Sequence, residues 1–449
     1  MGEANRILTD SLGKVLARSG IAGTVAGLER LSGGASMESW AFVCGGEGYV
    51  LRRAASAEVM AGRPLDHAGE AAVIRAAHGA GVIAPEVVAE LESSDGIGSG
   101  FVMRRIDGTA APEAALGGDG GGAALLGDLG AALAAIHRID PAAMTMAPRL
   151  DPAAGVEALA AQFAQHGGNR PIVALGLAWL RANLPPPIEP RLLHGDFRIG
   201  NLMTQARDGQ ARLTGVLDWE LAHLGDFHED LAFGCMAVWR FGSPLPGFGL
   251  GSLEALFAAY RASGGAPVDP ARFRFWLVYR TVWWALGCLT MGQTWRSGAD
   301  RSLERVVVAR RAAEQELDLL LLLEDKAPEV ENARALPAVE TETQRDSGEP
   351  TAAEILTAVG EWLASVKDRF AGRERFEHAV ARNALGIVAR ELAARPQAED
   401  RALADDILAG RATLATPGLL ARLRGSALTK LAADQPKYPS LAIARDKWL

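Results

Sequence analysis

The chain has 449 residues, 49% hydrophobic and 22% charged, which excludes wholesale disorder and leaves room for about three domains at ~150 residues each. Its 54 acidic and 46 basic residues give a net charge of −8, which argues against nucleic-acid binding, since the phosphate backbone selects basic surfaces. Three cysteines stand far apart, with no CxxC pair and no His cluster nearby; they exclude a disulfide framework or structural zinc and suit a reducing cytoplasm.

The opening segment MGEANRILTDSLGKVL predicts an amphipathic helix without the apolar core of a signal peptide. Short apolar runs (SWAFVC, GYVLRR, GFVMRRI) then read as strands, and HAGEAAVIRAAHGA as a helix. Among these strands lies LSGGASMES (residues 31–39). Its adjacent glycines, Gly33 and Gly34, let a backbone approach a phosphate, and Ser36 supplies a hydroxyl, although an ordinary glycine turn looks the same.

A glycine-rich loop, LGGDGGG (residues 116–122), joins this β-rich start to a helix-rich middle. There, RLLHG and RLTGVLDWE predict two short strands that each run into an acidic residue. Six of the ten tryptophans fall between Trp219 and Trp295, with Arg240, Arg280 and Arg296 among them. Trp276, Trp283 and Trp284 are spaced as the core face of one helix. The same interleaving of aromatic and Arg side chains also suits a pocket for a large anion. The apolar run WLVYRTVWWALGCLTM carries Arg280 and is too short to span a membrane, so no membrane partner is expected.

Residues 326–350 are rich in Pro, Glu and Thr, lack helical periodicity and read as a linker. The charge shifts here. From Arg345 onward there are 16 basic and 14 acidic residues, a net of +2, against −10 before it. A capping box, Thr351 to Glu354, opens a helical tail whose Ile355, Val359, Trp362, Leu363, Val366 and Phe370 form one apolar face. The expected division is an N-lobe (1–107), a C-lobe (108–325), the linker (326–350) and a C-terminal helical module (351–449).

The chemistry concentrates in HGDFRIGN (residues 194–201). Asp196 and Asn201, five apart after an apolar run, have the spacing of a kinase catalytic loop, in which the Asp takes the substrate hydroxyl proton and the Asn holds a metal ion. Twenty-two residues past Asp196, an apolar run ends in Asp218-Trp219-Glu220. A carboxylate at the end of a buried strand is costly to leave unpaired, and a divalent cation bridging ATP oxygens would resolve that cost.

HGDFRIGNLM and GVLDWELAHLGDFHEDLAF resemble the aminoglycoside-phosphotransferase and choline-kinase-like superfamily. Within it they are most similar to the phosphotransferases related to kinase domains fused to some acyl-CoA dehydrogenases. The resemblance covers roughly residues 5–325. It implies an α+β fold, bilobal and protein-kinase-like, with a β-rich N-lobe and a helical C-lobe, to which an all-α C-terminal module is added. It also implies ATP and Mg²⁺, with Asp196 as catalytic base and Asn201 and Asp218 as metal ligands. Arg52 in GYVLRR then stands at the phosphate-binding position and Glu70 is its helical partner. Gly33, Gly34 and Ser36 form the phosphate loop, and Met103, Arg104 and Ile106 offer backbone groups to adenine. The chain departs from the family at Met37, where the glycine loop often has Asn, and at Phe227, where Pro is expected.

The resemblance further implies phosphorylation of the hydroxyl of a hydroxyacyl-CoA at its 4-position, with Arg198, Glu220 and Arg280 as substrate-side candidates. An aminoglycoside-type or other small-alcohol kinase is the alternative, although Arg198 inside the loop opposes a polycation beside the reacting hydroxyl. A nucleotide-binding scaffold without catalysis is the third reading; the intact Asp196, Asn201 and Asp218 weigh against it. The tail reads as a partner that completes an acyl-CoA site or stabilises a homodimer.

Overall fold

The computed structural model describes residues 3–31, 37–54, 60, 63–117, 122–337, 352–394 and 400–449. The chain divides into two compact units: Met1–Asp151 with Pro187–Phe273, and Pro152–Pro186 with Arg274–Leu449.

The first unit contains a five-stranded antiparallel sheet: β1 (Ala26–Arg30), β2 (Glu38–Cys44), β3 (Glu47–Ala54), β4 (Val87–Glu90) and β5 (Ser99–Arg104), in the order β1-β2-β3-β5-β4. Gly45 and Gly46, at φ +60° and +88°, make the two-residue turn between β2 and β3, a geometry that side chains disfavour. The predicted first helix forms over Glu3–Arg18. Its Leu8, Leu12, Val15 and Leu16 make one stripe that packs on Phe42, Tyr49, Leu51 and Val102 of the sheet. Each such burial is worth about 2 kcal/mol.

The helix His67–Gly79 begins where the Asp66 carboxylate accepts the Gly69 N–H at 2.7 Å. Its Val73, Ile74 and Ala77 are buried, and this orientation carries Glu70 inward. The rest of the unit holds the helices Ala123–Ile136, His228–Phe233 and Leu253–Ala262 with two small antiparallel pairs. These are β6 (Arg191–Leu193) with β9 (His223–Gly225), and β7 (Leu202–Arg207) with β8 (Gln210–Val216). Both strands expected from RLLHG and RLTGVLDWE are present.

The described residues of the second unit are helical. The helix Ala312–Leu323 is buried over most of its surface yet carries three acids, each with a partner inside the unit. Glu314 pairs with Arg311 at 3.0 Å, and Glu316 with Arg170 at 3.0 Å and Lys430 at 2.8 Å. The Tyr438 hydroxyl donates to Asp318 at 2.5 Å. Glu324 receives Arg424 at 2.5 Å and the Trp448 indole N–H at 2.7 Å.

Inside the stretch with a linker's composition, Glu329–Asn332 forms a helical turn. Its Glu331 pairs with Arg334 and accepts the Gly418 N–H, both at 2.7 Å. Residues 338–350, Thr351 of the capping box and positions 118–121 of the glycine-rich loop lie outside the described residues. On the helix Ala352–Ser365, Ile355, Val359 and Trp362 are exposed, so only the Val366 end of the expected apolar face is covered. No helix among the described residues is long and apolar enough to cross a membrane.

Candidate active site

The site is assembled by the β7–β8 hairpin. Asp208 and Gly209, at φ +50° and +77°, form its two-residue turn, and Arg207 pairs with Gln210. From that turn the register runs back to Leu202 opposite Val216, and the Leu217 N–H donates to the Asn201 carbonyl at 2.9 Å. Asn201 and Asp218, seventeen residues apart in sequence, are thereby brought to one end of the hairpin. Asp218 leaves the strand at φ +68°, a left-handed conformation that Asp tolerates better than most residues. The following Trp219 is fully buried and donates its indole N–H to the Val216 carbonyl at 3.0 Å.

Arg52 on β3 reaches three carboxylates: Glu70 at 3.0 Å, Asp218 at 2.8 Å and Glu220 at 2.6 Å. Arg63 also binds Glu220, at 2.6 Å. Burial alone would lower the Arg52 pKa; its three acidic partners outweigh this and raise it, so it stays a fixed cation. Glu70 is pushed up to about 7 by burial, against the pull of Arg52.

Asp196 sits in the loop after β6. Burial raises its carboxyl to about 6, with Asp218 adding to the rise and Arg198 and Asn201 opposing it. The Asn201 amide donates to Asp196 twice, to Oδ2 at 2.7 Å and to the backbone carbonyl at 2.9 Å; Arg198 Nε donates to Oδ1 at 2.8 Å. His194 is fully buried and braces the same loop. Its Nδ1 accepts the Asp196 N–H at 3.2 Å and its Nε2–H donates to the Leu217 carbonyl at 3.0 Å. One accepting and one donating nitrogen define a neutral ring, and burial lowers its pKa in agreement.

A cavity of about 640 Å³ adjoins these groups, a volume suited to a small-molecule ligand. Val50, Phe101, Met103 and Ile106 line it from the sheet side, and Met203 and Leu217 from the hairpin. Arg52, Glu70, Arg198, Asn201 and Asp218 supply its polar lining. Of the sequence-chosen residues, Asp196, Arg198, Asn201, Asp218, Arg52, Glu70, Glu220, Met103 and Ile106 therefore belong to one region.

Arg104 lines the cavity too, but its backbone N–H already donates to the Glu86 carbonyl at 2.9 Å and its side chain pairs with Glu86 at 2.5 Å, so that amide is committed. Arg280 differs. It is 4% exposed within the second unit, its guanidinium 4.9 Å from the Trp283 ring centroid, and it is absent from the cavity lining. A long helix that buries Trp276 and Val282 has placed it for packing. Gly33, Gly34 and Ser36 lie outside the described residues, while Met37 is buried at 4% exposure.

Sequence reasoning passed over Arg63 and did not connect Asp230 to the catalytic loop, whose His194 and Gly195 amides it holds. It also missed the Asp208-Gly209 turn, whose signal was present as a two-residue D-G between alternating runs.

The donor set suits a hard cation: Asp218 offers a carboxylate and Asn201 an amide oxygen, and both line the cavity. No group of three or more His, Cys, Asp or Glu side chains able to hold a metal occurs among the described residues. Two protein ligands, with the remainder supplied by phosphates and water, is the usual arrangement for Mg²⁺.

Residues 27–276 match the phosphotransferase enzyme family, more than half of the chain, and the chain belongs to that family. Its fold is α+β and kinase-like. Residues 368–438 match a second family, a domain of unknown function (DUF6285). Among solved structures, a Ralstonia eutropha protein of aminoglycoside-phosphotransferase type superposes with a TM-score of 0.56 at 20% identity, covering 71% of this chain and 98% of that one, which supports the fold. Among curated relatives, acyl-CoA dehydrogenase family member 10 of Mus musculus is 36% identical over 101 residues, 20% of this chain and 9% of that protein. Family member 11 of Homo sapiens is 36% identical over 91 residues, 18% of this chain and 11% of that protein. The matches thus span only about a tenth of those relatives.

Proposed function

We propose that the chain transfers the γ-phosphoryl group of ATP to the alcohol of a small molecule, with Asp196 as the base that takes the hydroxyl proton. The observation that carries this reading is that Arg52, Arg198, Asn201 and Asp218 line one cavity of about 640 Å³ while Asp196 is hydrogen-bonded to two of them, Asn201 and Arg198. Arg198 holds Oδ1 of Asp196 and Asn201 holds Oδ2, which orients the carboxylate and leaves a second lone pair on an oxygen to accept the incoming hydroxyl. Arg52, released from Asp218 and Glu220, binds phosphate with two parallel N–H groups while Glu70 keeps its other edge in place. Met103 and Ile106 flank the adenine, and Gly33, Gly34 and Ser36 are the proposed phosphate-binding residues of the glycine loop. Asn201 and Asp218 would hold Mg²⁺, which when bound supplies electrostatic stabilisation of the transferring phosphate.

The proposed acceptor is a hydroxyacyl-CoA phosphorylated at the 4-hydroxyl. The partial identity to acyl-CoA dehydrogenase family members 10 and 11 supports an acyl-CoA. The Arg198 cation beside Asp196 supports a neutral or anionic acceptor over a polyamine. The proposed division remains lobes 1–107 and 108–325, linker 326–350 and module 351–449, with the enzyme in the cytoplasm.

The experiment is an ATP-consumption assay with Mg²⁺ on a panel of 4-hydroxyacyl-CoAs, kanamycin-like amines and simple alcohols. Turnover of the acyl-CoA that Asp196→Asn abolishes supports the reading. Turnover confined to the amines overturns the acceptor, and nucleotide binding without any turnover favours a scaffold.

A further inference from the structure

Arg198 and Phe241 flank Gly200 in the catalytic loop. A Cβ at position 200 would fall 2.5 Å from Arg198 Nη1 and 4.0 Å from Phe241 Cζ. Glycine at this position therefore makes room for the guanidinium, which donates to Asp196 at 2.8 Å and lies 4.5 Å from the Trp239 ring centroid. Trp239 is buried, so the ring is a fixed support, while the Arg198 side chain keeps 23% of its surface open and lines the cavity.

Phe241 is the unusual neighbour. With Gly242 it forms a two-residue turn at φ +48° and +95°, closed by the Ser243 N–H on the Arg240 carbonyl at 3.0 Å. The first position of such a turn favours Asn, Asp or Gly; a bulky side chain there is strained. Phe241 is also 47% exposed, so only about half of its surface is buried to offset that strain. A ring kept in a disfavoured conformation, half in solvent, beside a reactive loop has a use outside folding.

We infer that Arg198 and Phe241 form the acceptor subsite, Arg198 donating to a carbonyl or carboxylate oxygen a few bonds from the reacting hydroxyl and Phe241 receiving the alkyl chain. Arg198 is then a specificity-determining residue: the acceptor's oxygen takes up its outward N–H groups while Nε stays on Asp196. The inference rests on the phosphotransferase reading above and adds which acceptor groups the site recognises. A thioester carbonyl and a free carboxylate share this chemistry.

The test compares three acceptors under ATP and Mg²⁺: a 4-hydroxyacyl-CoA, the free 4-hydroxy acid, and a 4-hydroxyalkyl thioether of CoA that lacks the carbonyl. The full-length protein should favour the two oxygen-bearing acceptors over the thioether by about 100-fold in kcat/KM, as expected for the loss of one hydrogen bond to a charged group. Their relative rates tell thioester from carboxylate. Arg198→Gln should reduce that preference below about tenfold, mainly through KM. Phe241→Asn suits the turn better, so its Tm should hold or rise while KM for a long-chain acceptor rises about tenfold and that for a short-chain one stays. Equal losses of Arg198→Gln on all three acceptors, or a KM unaltered in Phe241→Asn, overturn the inference and leave the phosphotransferase reading standing. Turnover of none of the three overturns the inference and the acyl-CoA acceptor; the phosphotransferase reading falls only if the amines and simple alcohols are not turned over either.

Discussion

Asp230 holds the catalytic loop through both of its carboxylate oxygens: Oδ2 accepts the His194 N–H and Oδ1 the Gly195 N–H, each at 2.8 Å. His137 Nε2 meets the same Oδ2 at 3.2 Å, and the Tyr260 hydroxyl is 2.8 Å from His137 Nδ1. Gly195, at φ +81°, lets the loop turn so that both amides face the acid. The base is thus positioned from a helix that follows it by more than thirty residues.

Asp230→Asn replaces an acceptor facing two amides with a group that also donates. The expected cost is about 2–3 kcal/mol in urea unfolding, with kcat falling at least about tenfold as the Asp196 loop loosens. Asp230→Ala should cost more, because His137 and both amides lose their partner.

The same carboxyl sets a stability limit in acid. Burial opposes its charge, but His137 and the loop amides hold Asp230 down to about 2. A depressed carboxylate contributes fully above the unfolded value of about 4, and its contribution is lost as pH falls through about 2. The first unit should therefore lose about 2 kcal/mol between pH 4 and 2 on this account, and Asp230→Asn should flatten that part of the stability curve.

Asp196, raised to about 6 by burial, must be ionised to accept a proton. The rate should fall about tenfold per unit below pH 6 and level off above it, read as kcat/KM for the acceptor alcohol. Asp196→Asn should lower kcat by about 10³ while leaving nucleotide binding by thermal shift in place.

Arg52→Ala would leave Glu70, 3% exposed, without its cation. Since Glu70 can take up a proton near pH 7, the cost should stay near 2 kcal/mol at pH 6 and grow at pH 8. Arg52→Lys should restore the charge yet keep a raised KM for ATP, because a single ammonium cannot pair bidentately with phosphate.

A chain ending at Asp325 would remove Lys430 from Glu316, Tyr438 from Asp318, and Arg424 and Trp448 from Glu324, all inside the second unit. Uncovering these buried acids should give an aggregated or poorly folded product by size-exclusion chromatography and circular dichroism. Charge deletion at one site is a milder test: Lys430→Met should lower Tm by several degrees.

The local chemistry was legible in the residues themselves. The Asp196–Asn201 interval, the strand ending at Asp218 and the stripe of Leu8, Leu12, Val15 and Leu16 follow from spacing, and spacing is a property of the chain. Net charge was a poor guide to the site, since what matters there is Arg52, Arg63 and Arg198 interleaved with four carboxylates.

Tertiary structure decided the rest. Only the packed fold shows that Asp230 braces the loop amides, that Arg280 lies in a helical core, and that Glu316, Asp318 and Glu324 are buried with partners from distant helices. Each depends on which groups lose water together, and no local pattern encodes that pairing. The net charge of −8 is therefore a sum over charges that folding has largely sorted into pairs.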